Sequence, residues 1–589
     1  MQVKISMHAA TPHSIHSETL KKAMTTLKVL CLCSAWLYAE RKGAARDGLQ
    51  QMWGVGVLSC ATLLFGVLTV PPAFTVVWGA ALLVMATSFS TYLGLSITGI
   101  VGLLLLGLAA HTGHRSSRQL EMLQWVLISI TIAAVFNAGA GLLQWFGLAD
   151  ALWRWISVPE TRGIAFGTFR QPNLFATFVN VGIITTLWLV HLRRLTEAMA
   201  WFLVLIQVFA VAACGSRTGS LEIIALAVTG LWTARYQRAA VTRLMLGVAA
   251  LWVVAILTLP MAAHLHGFGF ATSVERAAGS AHDARLMIWH NALELIRLRP
   301  WTGWGWQEFS YGYYSTLFDH SSPNEIVGHA HNLPLQLAVE FGAPVALAFC
   351  ATALWAIYKG QPWKRVMTDN HGEASPESHR MFAWLILLDI VGLHSMLEFP
   401  LWYAGFLFLA GWATGYLLPP APACLTDSLY NRLAPRAMAI IAIGLIALTV
   451  VAWRQYADVL MMGTAPFNDR AAQRAALKYG AHAELFRGYV DFAELNLTDV
   501  TPDNAPAVRQ KAEKLLHFSP EPAVIRPLLL SLWYLHDVDA LRFHAQRFCQ
   551  KFPGAFERWS ADFADHPMRA ATGLTPTQCN APVVPPSGT

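Results

Sequence analysis

Charged residues are scarce in this sequence. Asp, Glu, Lys and Arg make up 13% of its 589 residues, whereas soluble domains carry about 25%. Hydrophobic residues reach 55% and the mean hydropathy is +0.43. Because so little charge cannot cover the surface of a soluble chain of this length, the composition is typical of a protein embedded in a lipid bilayer.

Signatures of several other protein classes are also missing. The eight cysteines form no CxxC or CxxC…HxxxH pattern, so nothing indicates a zinc site. The formal charge is +7, but no RNA- or DNA-binding motif accompanies it, and basic loops of a membrane protein explain most of the excess. No small-residue cleavage site follows the first apolar segment, which we therefore interpret as a membrane anchor rather than a removed signal peptide.

Apolar segments close to the ~20 residues that cross a bilayer recur along the chain. We count about thirteen, at 24–40, 52–70, 72–89, 93–110, 122–147, 174–192, 199–214, 218–233, 244–260, 333–358, 381–397, 401–418 and 437–453. They show no alternation of short strands, so they are predicted to be helices. The sequence therefore predicts an all-α polytopic membrane protein.

Lys and Arg are concentrated in short loops between the predicted spans, at 111–118, 191–194, 235–243 and 359–365. Basic loops of this kind face the cytoplasm. The long connections 148–173 and 261–332, and the tail 454–589, are then predicted to lie on the opposite side. The basic loop 41–46 is placed on that opposite side as well, which leaves the topology of the first 110 residues open.

The chain changes character after the last predicted span. Charged residues return, and the apolar residues in 471–497 and 540–552 take helical spacing. The pattern is similar to the helix hairpins of tetratricopeptide units, although no repeats can be counted. We therefore predict a membrane domain at 1–453 and an external all-helical domain at 454–589. Cys549 and Cys579 lie in this external part, where a disulfide and two free thiols both remain open.

Polar residues suited to chemistry collect in the predicted outer loops. They are Gln171, Asn173, Arg217, Arg285, His331, Asn332 and Tyr403. Arg285 begins a helix in which Leu286, Trp289, Leu293 and Ile296 form one apolar stripe, as in a helix that lies on a membrane surface.

Each of these polar residues has an ordinary structural alternative. An arginine at a helix end contacts lipid headgroups, Asn332 caps a helix, and residues 171–173 form a turn that leads into a helix. Their concentration on one face of the membrane favours a functional site. Two nearby residues, His394 and Glu398, we interpret as polar packing around that site.

The motifs resemble those of a known family. GHAHNLPLQLAVEFG (328–342) is similar to the signature of the Wzy/WaaL superfamily of bacterial O-antigen polymerases and ligases. FRQPNLFATF (169–178), GSRTGS (215–220), Arg285-x-x-x-Trp289 with the following RPWTGWGW, and HSMLEFPLWY (394–403) resemble the PglL-type protein O-oligosaccharyltransferases. The resemblance covers roughly residues 120–420.

The resemblance implies a GT-C-type glycosyltransferase, multi-pass in the bacterial inner membrane, with its active site facing the periplasm. It implies transfer of a preassembled glycan from undecaprenyl diphosphate to Ser or Thr hydroxyls of exported proteins such as pilin. The transfer is expected to be inverting and metal-independent, with no cofactor. The expected partners are the lipid-linked donor, the acceptor protein and membrane lipid, without nucleic acid.

The resemblance also assigns roles to the candidate residues. His331, Arg217 and Arg285 are the expected catalytic residues, because imidazole accepts a proton near neutral pH and guanidinium groups bind phosphate. The expected substrate-binding residues are Gln171, Asn173, Asn332 and Tyr403.

Two alternatives remain open. The nearer one keeps this machinery and changes the acceptor, giving an O-antigen ligase onto lipid A core or an O-antigen polymerase. The more distant one is a transporter of lipid-linked glycan, which would be expected to show paired broken helices or inverted repeats. The sequence leaves the identity of the glycan and of the acceptor open, and also the oligomeric state.

Overall fold

The computed structural model describes residues 12–38, 47–88, 90–152, 156–234, 238–278, 282–318, 326–361, 376–420, 429–466, 468–575 and 579. The basic loop 41–46 and parts of the basic loops 235–243 and 359–365 lie outside these residues. Within them the regular secondary structure is entirely helical. This agrees with the predicted all-α class.

The first part of the chain contains the helices α1 Pro12–Ser34, α2 Asp47–Phe65, α3 Pro72–Thr87, α4 Leu93–Ser116, α5 Leu120–Phe146, α6 Pro172–His191, α7 Glu197–Ala213, α8 Arg217–Thr233, α9 Ala239–Leu265, α10 Ser273–Ala278, α11 His282–Leu298, α12 Phe309–Ser315, α13 Leu333–Phe341, α14 Ala343–Gly360, α15 Pro376–Leu387, α16 Ala404–Leu417 and α17 Leu429–Met462.

Among the described residues, seven helices are long and apolar enough to cross a membrane. They are Gly48–Phe65, Leu93–Ser116, Leu120–Phe146, Pro172–His191, Ala239–Leu265, Ala343–Gly360 and Leu429–Met462. The helices α3, α7 and α16 are shorter and apolar. The chain is therefore a multi-pass membrane protein, while the count of about thirteen spans stays a prediction.

The segment 333–358, predicted as one span, is instead two helices. Gly342 separates α13 from α14 with a φ of +87°, and a side chain there would overlap the carbonyl oxygen of Trp301. Val339 of α13 packs with Ile288 and Leu295 of α11. Consequently α13 belongs to the large outer loop, and the apolar helix suited to a span begins only at Ala343.

The segment 381–397 is also not one regular helix. After α15 the chain forms a π-helical turn at Leu388–Leu393 and a 3₁₀ turn at His394–Met396. A π-helical turn changes the direction in which the following side chains point, and such turns are frequent at functional sites. The HSMLEFPLWY motif follows directly after this change of direction.

Helix α11 buries a different face from the predicted stripe. Ile288, Ala292 and Leu295 pack inside the outer loop, whereas Leu286 and Leu293 are exposed. An exposed pair of leucines is compatible with a membrane surface, so that placement stays a prediction.

The tail forms a second helical unit with the helices α18 Arg470–Ala476, α19 Arg487–Leu497, α20 Ala505–Leu516, α21 Pro522–Tyr534, α22 Val538–Lys551, α23 Pro553–Asp562 and α24 Pro567–Thr572. Helix α17, which contains the last predicted span, continues to Met462, so the first residues of the predicted tail 454–589 belong to this helix. Cys549 and Cys579 form a disulfide that ties α22 to the end of the described chain.

The tail packs directly against the large outer loop. His517 Nδ1 lies 2.7 Å from Glu308 Oε2, and the rings of His517 and Tyr311 stack with centroids 3.8 Å apart. Gln550 Nε2 donates to the carbonyl of Phe318 at 2.6 Å. These contacts hold the tail at a fixed position relative to the loop that contains α11 and α13.

The membrane part depends on one very close helix crossing, between α4 and α16. A Cβ on Gly415 would overlap the carbonyl oxygen of Ala110, and one on Gly113 would overlap that of Trp412. Small residues let membrane helices approach closely, and this proximity increases their packing attraction.

We therefore expect Gly415→Ala to destabilise the protein by about 1–3 kcal/mol, because the added methyl group forces α4 and α16 apart. Gly444→Ala in α17 is the matched control, since nothing lies within 4 Å of the new Cβ. The measurement is the midpoint of thermal unfolding in detergent. Equal midpoints for the two variants would contradict the close crossing.

Candidate active site

The carboxylate of Glu398 lies at the centre of the candidate site. Arg285 Nη2 donates to Glu398 Oε1 at 2.5 Å, and His331 Nδ1 lies 2.8 Å from Oε2. Asn173 Nδ2 donates to Oε1 at 3.2 Å. One carboxylate thus joins three of the predicted site residues, which come from widely separated parts of the chain.

A further hydrogen bond extends this cluster to the start of α8. Ser216 Oγ donates to Asn173 Oδ1 at 2.7 Å and, as the N-cap of α8, accepts from the backbone N–H of Gly219 at 3.0 Å. Arg217 is the next residue. Its guanidinium group forms no hydrogen bond or ion pair with any residue that the structure describes, and is therefore available to an anion.

Helix α11 supports the site at two positions one turn apart. Arg285 binds Glu398, and Trp289 Nε1 donates to the carbonyl of Ala330 at 2.9 Å. Residues four apart lie on the same face of a helix, and Ala330 lies between the two histidines of the GHAHN motif. The Arg-x-x-x-Trp spacing therefore holds the histidine loop and the carboxylate from a single helix face.

The backbone at His331 is strained and fixed by its neighbour. His331 has a φ of +50°, in the left-handed region, which costs a non-glycine residue free energy. Asn332 stabilises this conformation as the N-cap of α13, accepting from Leu335 N at 3.1 Å and donating to the carbonyl of Met396 at 3.3 Å. The capping role foreseen for Asn332 is thus realised, and it aims His331 at Glu398.

The two histidines of the motif have different surroundings. His331 uses Nδ1 toward Glu398, so the N–H on that atom faces the carboxylate and Nε2 carries the lone pair. The ring of His329 stacks on Phe399 with centroids 4.1 Å apart, and its Nδ1 is buried without a described partner. Burial lowers the pKa of His329 to about 4. His329 is therefore an uncharged packing residue at neutral pH.

The electrostatics keep Glu398 ionised. Burial alone would raise the pKa of this carboxyl, but the hydrogen bond and charge of His331 and the charge of Arg285 outweigh burial, and the pKa is lowered. A carboxylate whose folded-state pKa is depressed contributes stability above its unfolded-state pKa and loses it as the pH falls through the folded-state value. The cluster is therefore intact at neutral pH and lost only in acid.

Gln171 and Tyr403 lie beside this hydrogen-bonded chain. Gln171 Oε1 accepts from Leu174 N at 2.5 Å and so caps α6, which realises the structural alternative for this turn. The ring of Tyr403 stacks with that of Phe399 at a centroid distance of 6.3 Å. The direct contacts that the structure gives these two residues are thus structural.

The sequence assigned Glu398 only to packing, and this assignment missed its central position. A carboxylate in an otherwise apolar motif, on the same predicted face as two arginines and a histidine, is the signal that could have identified it. For His394 the packing interpretation holds. Its Nδ1 lies 2.7 Å from Thr177 Oγ1, which donates to Glu222 at 2.6 Å.

Comparison with known families supports the resemblance seen in the motifs. A model described as O-Antigen ligase matches residues 202–350. A second, described as Virulence factor membrane-bound polymerase, C-terminal, matches residues 381–565. Each match covers less than half of the chain, and both are in keeping with the similarity of its motifs to the Wzy/WaaL superfamily. Together the two matches cover α13, the HSMLEFPLWY motif and most of the tail.

The chain is also similar to two proteins of Acinetobacter baylyi. It is 27% identical over 399 residues to a general O-oligosaccharyltransferase, covering 64% of each chain. It is 20% identical over 295 residues to a ComP-specific O-oligosaccharyltransferase, covering 50% of this chain and 49% of that one. Each match spans less than two thirds of the relative's length.

The ion pair at the centre of the site predicts strong coupling between its partners. We expect Arg285→Ala and Glu398→Ala each to destabilise the protein, because each leaves an uncompensated charge in a mostly buried site. The double variant is expected to be destabilised by about 0.5–3 kcal/mol less than the sum of the two single destabilisations. Thermal unfolding midpoints in detergent measure this difference.

The control is the more exposed ion pair of Arg243 and Glu197, whose charged atoms lie 2.7 Å apart. Exposed pairs contribute roughly 0.2–1 kcal/mol, so the same cycle at these residues is expected to show weak coupling. Equal coupling at both pairs would show that Glu398 does not organise the site.

Proposed function

We propose that this protein is an oligosaccharyltransferase that moves a preassembled glycan from undecaprenyl diphosphate to Ser or Thr hydroxyls of exported proteins such as pilin. The observation that carries the proposal is the polar chain from Ser216 through Asn173 to Glu398, which joins the imidazole of His331 to the guanidinium group of Arg285. Arg217 directly follows the Ser216 end of this chain. The names of the two relatives support transfer of an oligosaccharide to oxygen.

The reaction needs a base for the hydroxyl proton and positively charged groups that stabilise the leaving diphosphate. The acceptor hydroxyl oxygen bonds to the anomeric carbon of the glycan while the bond from that carbon to the diphosphate oxygen breaks. The hydroxyl proton goes to Nε2 of His331, and the lipid diphosphate leaves with the electron pair. Direct displacement inverts the anomeric configuration and needs neither a covalent intermediate nor a cofactor.

The leaving diphosphate gains charge, and we propose that the two arginines stabilise it. Arg217 is the stronger candidate, because no described carboxylate neutralises it and its planar group can bind phosphate through two parallel hydrogen bonds. Arg285 uses one of its five N–H donors on Glu398. We propose that these arginines take the place that a metal ion holds in other glycosyltransferases.

Glu398 acts in this proposal as a positioning residue. Glu398 accepts a hydrogen bond from the Nδ1–H of His331. This bond holds the imidazole in the tautomer whose Nε2 can accept the proton from the hydroxyl. It also stabilises the imidazolium that forms during the reaction, as carboxylates do in other His-based sites.

The remaining polar residues complete the proposed site. Asn173 and Asn332 contact the cluster or its backbone, and the NH₂ group of Gln171 is left to bind sugar or phosphate. Tyr403 is proposed to contact donor or acceptor beside Phe399. The membrane domain 1–453 is thus the proposed catalytic domain.

We place this site on the periplasmic side of the inner membrane. The tail packs against the loop that holds α11 and α13, and it carries the disulfide between Cys549 and Cys579. Disulfides persist in oxidising compartments such as the periplasm. This supports a periplasmic position for the tail domain 454–589 and for the loop with it.

A second candidate function differs only in the acceptor. The matched family models are described as an O-antigen ligase and a membrane-bound polymerase. These descriptions favour lipid A core or a growing glycan as the alternative acceptor. Deleting the protein decides between them. Loss of glycan from exported proteins supports the proposal, and loss from lipopolysaccharide alone contradicts it.

The histidines give the sharpest test of the chemistry. We expect His331→Ala to lower glycan transfer by about 10²–10⁴-fold, because a positioned base contributes this much to such a step. His329→Ala is the matched control and is expected to cost far less. The measurement is transfer to an acceptor protein in membranes, with donor binding by the purified variants. Wild-type transfer by His331→Ala would disprove the assignment of the base.

Glu398 predicts an effect on the pH profile. Glu398→Gln keeps the shape of the side chain but removes the charge that stabilises the imidazolium, so transfer is expected to fall about 10–100-fold. The pH at which transfer declines on the acid side is expected to move lower, because the base is less easily protonated. Glu398→Asp, which keeps the charge, is expected to restore part of the rate. A lower yield of folded protein with an unchanged pH profile would reduce Glu398 to a packing role.

A further inference from the structure

The tail contains a cavity that the proposed reaction does not use. It has a volume of about 520 Å³, within the size range of ligand sites. It lies where the end of α19 meets the first turns of α21 and α23. We call it the tail groove, defined by Leu495, Glu521, Pro522, Arg526, Ala555 and Arg558.

The arginines of the tail divide into two groups. From Arg470 onward, the described arginines that bind a carboxylate or a backbone carbonyl are Arg470, Arg474, Arg487, Arg509, Arg542, Arg547 and Arg569. Arg526 and Arg558 bind none of the described residues, and both line the tail groove. The two described arginines of this helical unit that lack such a partner thus lie in the same groove.

One N–H group of Arg526 also lacks a described hydrogen-bond partner. Its Nε is buried and has no hydrogen-bond partner among the described residues, although buried N–H groups are almost always paired in folded proteins. The same guanidinium group lines the groove, so an anion bound there would balance a charge that the described contacts leave uncompensated.

The groove also contains a carboxylate and a helix terminus. Glu521 accepts from Ser519 Oγ at 3.2 Å and forms no ion pair with either arginine. The lining therefore keeps an excess of positive charge. Glu521 is also the N-cap of α21 without a side-chain capping bond, so the positive end of that helix dipole adds to the attraction for an anion.

We propose that the tail groove binds an acidic segment of the acceptor protein and holds it for glycan transfer. Arginines bind carboxylates through paired hydrogen bonds, and Leu495, Pro522 and Ala555 give apolar contact to the rest of a peptide. This inference rests on the proposed function, because it names how the same enzyme takes its protein acceptor.

The position of the tail keeps the groove attached to the loop that carries the candidate site. His517 and Gln550 attach the tail to the loop that carries the candidate site. An acceptor held in the groove therefore remains near the membrane domain, and its local concentration rises without any new contact at the site of transfer. The expected signature is an effect on KM for the acceptor and not on kcat.

The test compares Arg526→Ala/Arg558→Ala with the matched control Arg542→Ala/Arg569→Ala, which removes the same charge from arginines bound only to backbone carbonyls. The acceptor is the exported protein that loses its glycan when the gene is deleted. Full-length enzyme in lipid nanodiscs is used throughout. The groove variant is expected to raise KM for this acceptor about tenfold or more, with kcat unchanged, while the control stays at the wild-type values.

A second arm identifies the ligand. Replacing the surface Asp and Glu residues of the acceptor by Asn and Gln should raise KM for the wild-type enzyme and have little further effect on the groove variant. If KM of the groove variant matches that of the control, or if its defect appears only with anionic lipid in the nanodisc, the groove is not a peptide site and the inference is overturned.

The outcome is separable from that of the proposed function. If the wild-type enzyme transfers no glycan to any exported protein, the proposed function itself fails. If the wild-type enzyme transfers glycan and the groove variant does so with the wild-type KM, only the groove assignment fails.

Discussion

The candidate site depends on the burial of one carboxylate. Glu398 is mostly removed from solvent, and a charge in that position is tolerated only when it is paired and hydrogen-bonded. Arg285, His331 and Asn173 meet this requirement. In meeting it, they bring the large outer loop, the start of α6 and the motif after α15 to a common point. The same interaction holds together the groups that the proposed chemistry needs.

Breaks in regular helices make this convergence possible. The turn at Gly342 frees α13 to pack with α11 in the outer loop, and the π-helical turn at Leu388–Leu393 redirects the chain toward Glu398. At membrane depth, irregular backbone is tolerated where it is buried in protein or lines a cavity. Caps provided by Gln171, Ser216 and Asn332 supply the backbone partners at three of the helix starts.

The tail is attached to the membrane part as well as to the loop that carries the candidate site. Its helices have their own core, yet Tyr314 of α12 and Tyr92 beside α4 are part of the same cluster. Tyr92 also donates to Asp491 at 3.2 Å. These contacts fix the tail against the membrane part, as the proposed binding of an acceptor in the tail groove requires.

The sequence by itself determined the membrane class and the approximate position of most helices, and it singled out Arg285 and His331, which the structure joins through Glu398. Composition, apolar length and the distribution of basic residues are local properties, and they respond directly to the bilayer. Motif similarity pointed to the O-antigen ligases and O-oligosaccharyltransferases that the chain resembles. Only the tertiary structure decided that Glu398 is the common partner and that 333–358 is two helices. It also decided that Gln171 acts as a cap and that Cys549 pairs with Cys579. These outcomes depend on contacts between residues far apart in the chain, and no local pattern specifies which carboxylate a distant arginine will meet.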